Sequence, residues 1–401
     1  MRHAPVDSFS AWRVQPSQTH FPKVIPCPSQ ANVRDVAAAG LQAVCPEVAI
    51  DTARACADLG TTRGKFFAHS GRVVTTDLFL AAAGLDPLAL ERAIPPGCLR
   101  GIDPAPIAVR EGLDTLLMLP TWTPRRPAAH LLPSFAPLTE APIAFRFELS
   151  VHADGEWSAW AASTTIGAAD FAPLPSAVAP LTCDVDVFRA APAVHAVRLR
   201  VRVRAAETAR WLVGLSAADD APTDLRPSAG VPARLDVPAL SQLEADPTLG
   251  ARICSPTSVA MVLGYWRRSV TPSAIAAEVF HPELDIYGVW PAAIRAAAAR
   301  GLAGYLLRFP DWATARWCLE RGIPIVASVR YAAGELSGAA IAATAGHLLV
   351  LVGVDGDTVL VNDPAAPTAD SVFRRYRADE FGRAWLARGG VGYVLFDSAR
   401  V

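Results

Sequence analysis

Four side chains stand in an order that could carry out acyl transfer: Gln242, Cys254, His347 and Asp363. Cys254 opens the run Cys254-Ser255-Pro256-Thr257-Ser258-Val259. Downstream, apolar residues at 259, 262, 263 and 266 share one face of a 3.6-residue period. Pro256 suits a first turn, where its missing N–H would be unpaired anyway. The pattern predicts a thiol at a helix N-terminus, where free N–H groups and the positive end of the dipole favour a thiolate. A buried structural cysteine is the ordinary alternative.

A nucleophilic thiol needs a base. His347 follows Gly346 and opens the apolar run Leu348-Leu349-Val350-Leu351-Val352, so it stands where a strand meets a cleft, unless it is simply a core histidine. Asp363 closes the next strand pattern, Val359-Leu360-Val361-Asn362, across an Asp355-Gly356-Asp357 turn. Adjacent strands can bring the carboxylate to the imidazole and orient it, although an acid before Pro364 could equally be a turn residue. Gln242 lies upstream in Val237-Pro238-Ala239-Leu240-Ser241-Gln242. Its side-chain amide, with the Cys254 N–H, could donate to an oxyanion, while a surface glutamine is the commoner role.

These residues need elements to hold them. After Pro232 the texture is α+β: helical patterns over 256–268, 272–280 and 291–300, then strands over 323–329, 347–354, 358–362 and 391–396. Upstream, 143–151 alternates as a strand, Ala153-Asp154-Gly155-Glu156 supplies a turn, and Trp157-Ser158-Ala159-Trp160 starts the return. Val185–Phe188 and Val197–Val203 read as a second strand pair, with Arg198, Arg200 and Arg202 on a solvated face. Residues 215–235, rich in Ala, Asp, Pro and Ser, read as a linker. The expected organisation is multidomain: a mainly β, sandwich-like accessory region over 1–225, subdivided near 130–140, and an α+β domain over 232–401. Over 31–59 propensity does not choose between helix and strand, and 71–76 reads as turn and strand. Trp290 and Trp385 are expected to fill a core.

Composition narrows the function classes. The chain has 401 residues, 52% hydrophobic, with 37 basic against 38 acidic side chains. That balance removes the case for a nucleic-acid binder built on a basic field. No uninterrupted apolar run reaches a membrane span and the N-terminus lacks a signal-peptide core, so the expectation is a cytoplasmic protein without membrane insertion. Seven dispersed cysteines form no Cys-x-x-Cys pair, and eight histidines form no His-x-x-x-His pair, which argues against a disulfide framework and a metal site.

Residues 236–396 resemble the C39-like cysteine peptidases, a branch of the papain-like fold. The resemblance rests on Val-Pro-x-x-Ser-Gln, Cys-Ser-Pro-Thr-Ser-Val-Ala-Met-Val-Leu, Gly-His-Leu-Leu-Val-Leu-Val-Gly and Val-Asn-Asp-Pro-Ala in that order, with Tyr287-Gly288-Val289-Trp290 and Gly322-Ile323-Pro324-Ile325 between them. Bacteriocin-processing members have Asp-Cys-Gly at the nucleophile and a closer glutamine. Here the residues are Ile253-Cys254-Ser255, and twelve positions separate Gln242 from Cys254. The part containing Asp-Gly-Glu-Trp-Ser-x-Trp resembles the N-terminal extensions of standalone relatives. The resemblance implies hydrolysis of a peptide or protein substrate by Cys254, His347 and Asp363, with Gln242 at the oxyanion and no cofactor. Amidase or transglutaminase-like transfer, or noncatalytic polypeptide binding on a peptidase scaffold, are the alternatives. Oligomeric state is not legible.

Overall fold

The Asp154-Gly155 pair adopts φ values of 53° and 87° and joins strands Ala144–Ala153 and Glu156–Trp157. Two successive left-handed positions are what a tight hairpin of this hand requires. In the computed structural model, which describes residues 75–401 apart from 105, 206–208 and 227–231, that hairpin ends one of three sheets. Its order is Ile107–Glu111, Asp114–Met118, Ala196–Arg204, Ala144–Ala153, Glu156–Trp157. A second sheet runs Leu99–Asp103, Thr76–Ala83, Trp211–Ala218, Ala128–Pro137, Val187–Val194, Leu181–Asp184, Ala177–Val178. Phe135 of the second sheet meets Phe145 of the first edge to face, with ring centroids 5.1 Å apart. The readings over 31–59 and 71–74, and Cys27, Cys45, Cys56, His3, His20 and His69, fall outside the described residues.

Two expectations for this region are corrected. Val187–Val194 and Ala196–Arg204 do not pair with each other: the first bonds to Ala128–Pro137 and the second to Ala144–Ala153, in different sheets. The short connection between them crosses from sheet to sheet, so adjacency in sequence is not adjacency in a ladder. Nor do the three arginines share a solvated face. Arg198 is exposed, its guanidinium 3.7 Å from the Trp157 ring centroid. Arg202 is buried and donates to Glu148 at 2.8 Å, while Arg200 pairs with the other Glu148 oxygen and lies over Trp160. Glu148 has no exposed surface and also accepts from Arg146 at 2.9 Å. The expected linker also begins later, since Leu215–Ala218 are paired in Trp211–Ala218.

The third sheet runs Ala303–Arg308, Val391–Phe396, Ile325–Tyr331, Thr344–Asp355, Thr358–Asn362, Phe373–Arg377. Helix Cys254–Tyr265 contacts the strand Thr344–Asp355 and the helices Pro272–Val279 and Trp290–Ala298. Every residue from Ser255 to Leu263 is buried, so the helix is enclosed all round rather than on one stripe, as befits a central helix. The strand Ala303–Arg308 and helix Trp312–Glu320 were not expected from sequence. That strand lies at the sheet's edge, where Thr76 and Ser216 of the second sheet bond its Arg308 carbonyl and N–H at 2.8 and 3.1 Å. The edge is thereby closed to further strand pairing. Trp385 is fully buried against Phe309 and Phe381.

Burial opposes the Glu148 charge, but hydrogen bonds from Arg202 and Arg146 and the nearby Arg200 charge hold its carboxyl below the usual range. Its stabilising contribution is therefore full above the ordinary carboxyl range and lost as pH falls through the lower folded value. Glu148→Gln removes the counter-charge shared by Arg146, Arg200 and Arg202, of which Arg202 keeps Glu111 and Asp114. Urea unfolding at neutral pH should show a loss of about 3–5 kcal/mol. A loss below about 1 kcal/mol would mean that the arginines find other partners.

Candidate active site

Cys254 is the first residue of its helix, and part of its surface is open, unlike the buried Cys98 and Cys318. The helix is pinned by Ser258 Oγ, which donates to the Leu348 carbonyl at 3.2 Å, and by Ser255, whose hydroxyl meets the Tyr393 hydroxyl at 3.1 Å. These contacts bring the thiol to the strand Thr344–Asp355, where His347 is the first buried residue. His347 hydrogen-bonds the Cys254 side chain. Its Nε2 lies 2.8 Å from Asp363 Oδ1, which leaves Nδ1 for the sulfur.

Asp363 follows the last residue of Thr358–Asn362 and is fully buried. Oδ1 also accepts from the Ala365 N–H at 3.1 Å, and Oδ2 accepts from the Tyr376 hydroxyl at 2.9 Å. Tyr376 was missed in the sequence. It is the fully buried residue of Phe373–Arg377, and an aromatic among arginines was the available sign.

Gln242 is buried at the start of a short helical turn, Gln242–Ala245. Its N–H donates to the Pro364 carbonyl at 2.8 Å, and Ser241 Oγ donates to the Ala366 carbonyl at 2.6 Å. Asn362 Nδ2 reaches back to the Val237 carbonyl at 2.9 Å. The glutamine segment and the loop after Asp363 are thus fastened together. The Gln242 Oε1 is buried without a hydrogen-bond partner. The twelve-residue separation is taken up by Gln242–Ala245 and the 3₁₀ turn Gly250–Arg252. A Cβ on Gly250 would lie 2.8 Å from the Gln242 carbonyl oxygen, so only glycine allows this close return. Gly353 serves likewise on the histidine strand, where a Cβ would collide with the Ala233 carbonyl of the added strand Ala233–Arg234.

The electrostatics follow from these partners. Burial raises the Cys254 thiol, but the hydrogen bond and charge of His347, with the N–H groups of Leu348 and Ser255, carry it below its ordinary value. Burial lowers the His347 imidazole, but Asp363 and Cys254 outweigh it and bring it up to about 10. Burial likewise works against the Asp363 charge, and His347, the Ala365 N–H and Tyr376 reverse the effect. The two shifts, the thiol down and the imidazole up, both favour a thiolate–imidazolium pair. Cys98, without comparable donors, is pushed up to about 12 by burial, and burial raises Cys183 and Cys318 further. Among the described residues no cluster of three or more His, Cys, Asp or Glu side chains could hold a metal ion, and no helix is long and apolar enough to cross a membrane.

Limited iodoacetamide treatment at neutral pH, read by peptide mass mapping, should alkylate Cys254 before Cys98, Cys183 and Cys318. With its pKa lowered, the Cys254 rate should rise with pH earlier than that of an ordinary thiol. In His347→Ala it should instead climb with pH toward the ordinary thiol value of 9. Equal rates in the two proteins would refute an activating pair.

The family model of the Peptidase_C39 like family matches residues 234–393. Among solved structures, the chain is similar to a double glycine motif protease from an AMS/PCAT transporter in complex with the leader peptide (19% identity, 41% of this chain and 98% of that one, TM-score 0.28). It is also similar to a protein described as a C39-like peptidase from Bacillus anthracis (20% identity, 42% and 98%, TM-score 0.32). A third is the peptidase domain of Streptococcus ComA, a bi-functional ABC transporter involved in a quorum-sensing pathway (14% identity, 36% and 91%, TM-score 0.28). No curated protein matches the chain significantly. The match to the Peptidase_C39 like family is thus carried by residues 234–393, about 40% of the chain, the segment that contains Cys254, His347 and Asp363.

Proposed function

We propose that the chain is a cysteine peptidase that hydrolyses peptide bonds through an acyl-enzyme at Cys254. The observation that carries this reading is the hydrogen-bonded line from Cys254 through His347 to Asp363, with the thiol held below its ordinary pKa. The thiolate attacks the peptide carbonyl carbon, and the oxygen takes up the negative charge. The Cys254 N–H and the Gln242 side-chain amide donate to that oxygen. Collapse breaks the C–N bond as the His347 imidazolium gives its proton to the leaving amine, leaving a thioester and a neutral imidazole. His347 then takes a proton from water as the hydroxyl adds, and the acid product departs with the thiolate restored. Every step uses groups of the chain and water.

In this reading residues 232–401 are the catalytic domain, and 1–225 are an accessory region with a sandwich-like pair of sheets. A cytoplasmic location goes with it. Amidase or transglutaminase-like chemistry shares the first half-reaction, and the acceptor of the acyl group decides between them.

A peptide-library cleavage assay on the full chain should show turnover that Cys254→Ala abolishes. Gln242→Ala should lower kcat by about 10²–10³-fold if its amide supplies a full oxyanion donor. Incorporation of a labelled amine in place of hydrolysis would redirect the reading to acyl transfer. Selective Cys254 labelling with neither reaction would support the binding scaffold.

A further inference from the structure

A cavity of about 330 Å³ has two kinds of wall. Asp184, Asp186 and Arg189 come from the second sheet and its turn. Trp290, Ser328 and Arg330 come from the C39-like region. Its lining is linked to the site through neighbouring residues. Ser328 is the register partner of Leu348, the residue after His347. Asp186 Oδ2 accepts from the Trp290 N–H at 2.8 Å, and its charge reaches the phenol of Tyr393, which hydrogen-bonds Ser255.

The lining is unbalanced in charge. Four guanidiniums, of Arg189, Arg308, Arg330 and Arg388, face two carboxyls, of Asp184 and Asp186. Burial brings Asp186 up to about 7, and burial also lowers the His130 imidazole, so neither alters the sign at neutral pH. Arg308 is fixed by the Gly389 and Asp219 carbonyls at 3.1 and 3.0 Å, and Arg388 stands 3.7 Å from Glu335. Arg189 and Arg330 have no ion pair or hydrogen bond among the described residues. Guanidiniums without counter-charges at a bounded cavity are suited to a planar, two-oxygen anion. The two acids, and the absence of a basic excess over the whole chain, disfavour an extended polyanion.

We infer that this cavity is a carboxylate-binding subsite for the polypeptide handled at Cys254, with Arg189 and Arg330 as its recognition groups. The inference rests on the peptidase reading for its substrate but on separate residues for its charge preference. The carboxylate is an acidic side chain or the chain's own C-terminus.

The test uses the full chain carrying Cys254→Ala and fluorescence anisotropy at low salt. The probes are rhodamine-labelled heptapeptides in two pairs: central Glu against central Gln with amidated ends, and free against amidated C-terminus with central Gln. One anionic member should bind about tenfold or more tightly than its neutral twin, and which pair responds identifies the carboxylate. Adding Arg189→Gln and Arg330→Gln should erase the preference and leave neutral-peptide affinity unchanged. Equal binding within both pairs, including none measurable at millimolar peptide, overturns the subsite, as does a preference that survives the double variant. Iodoacetamide labelling of Cys254 in the chain that retains this cysteine separates the two readings. Selective labelling without a charge preference removes the subsite alone. A preference without selective labelling removes the peptidase reading and leaves the carboxylate site.

Discussion

Keeping a charged pair stable beneath the surface is the constraint on which the rest of the site depends. Desolvation opposes the charged forms of Cys254, His347 and Asp363 alike, so each must be repaid by a hydrogen bond of good geometry. Asp363 has both oxygens engaged, by His347 and the Ala365 N–H on one and by Tyr376 on the other. Rotation of the carboxyl would break at least one of these bonds, which fixes the imidazole and hence Nδ1. The same network joins the glutamine segment to the Asp363 loop through Gln242, Ser241 and Asn362. The placements of His347 and of Gln242 therefore depend on shared contacts.

The other thiols show that burial alone does not activate a cysteine. Cys98 and Cys318 are more enclosed than Cys254, yet burial moves them away from the thiolate. Cys254 differs in its partners: a helix start, a facing imidazole and two backbone N–H groups. Its helix can hold that position because it is enclosed on all sides and bonded to two strands by Ser255 and Ser258.

The sheets upstream of the C39-like region are structurally engaged with it. Thr76 and Ser216 close the edge of its sheet, Tyr305 donates to the Ala93 carbonyl at 2.9 Å, and Asp186 caps the start of helix Trp290–Ala298. Within those sheets, Glu148 at the centre of three arginines is a buried ionic cluster whose members are individually costly and jointly satisfied. The turn that carries Asp186 also lines the cavity that Arg189 and Arg330 share, so one short segment contributes to both docking and lining.

Much of the C39-like region was legible because its signals are local. A proline in a first turn, a helical run after Cys254, an apolar strand after His347 and an Asp-Gly-Asp turn before the Asp363 strand each depend on near neighbours. The family those signals resemble is the one whose model matches residues 234–393. The strand Ala303–Arg308 and helix Trp312–Glu320 escaped notice because packing, more than periodicity, defines them: the strand is covered by another sheet and Trp312 is buried against Phe381 and Trp385. The pairing of 187–194 and 196–204 was misread for a related reason, since period two gives a strand its faces but not its neighbour. Arg202 carries the same alternation as Arg198, and only the arrival of Glu148 on the adjacent strand makes it a buried ion-pair member. Residue types and spacing determined which groups could do chemistry; hydrogen bonds over long sequence separations decided which of them meet, because desolvation of a charge is set by what surrounds it in space.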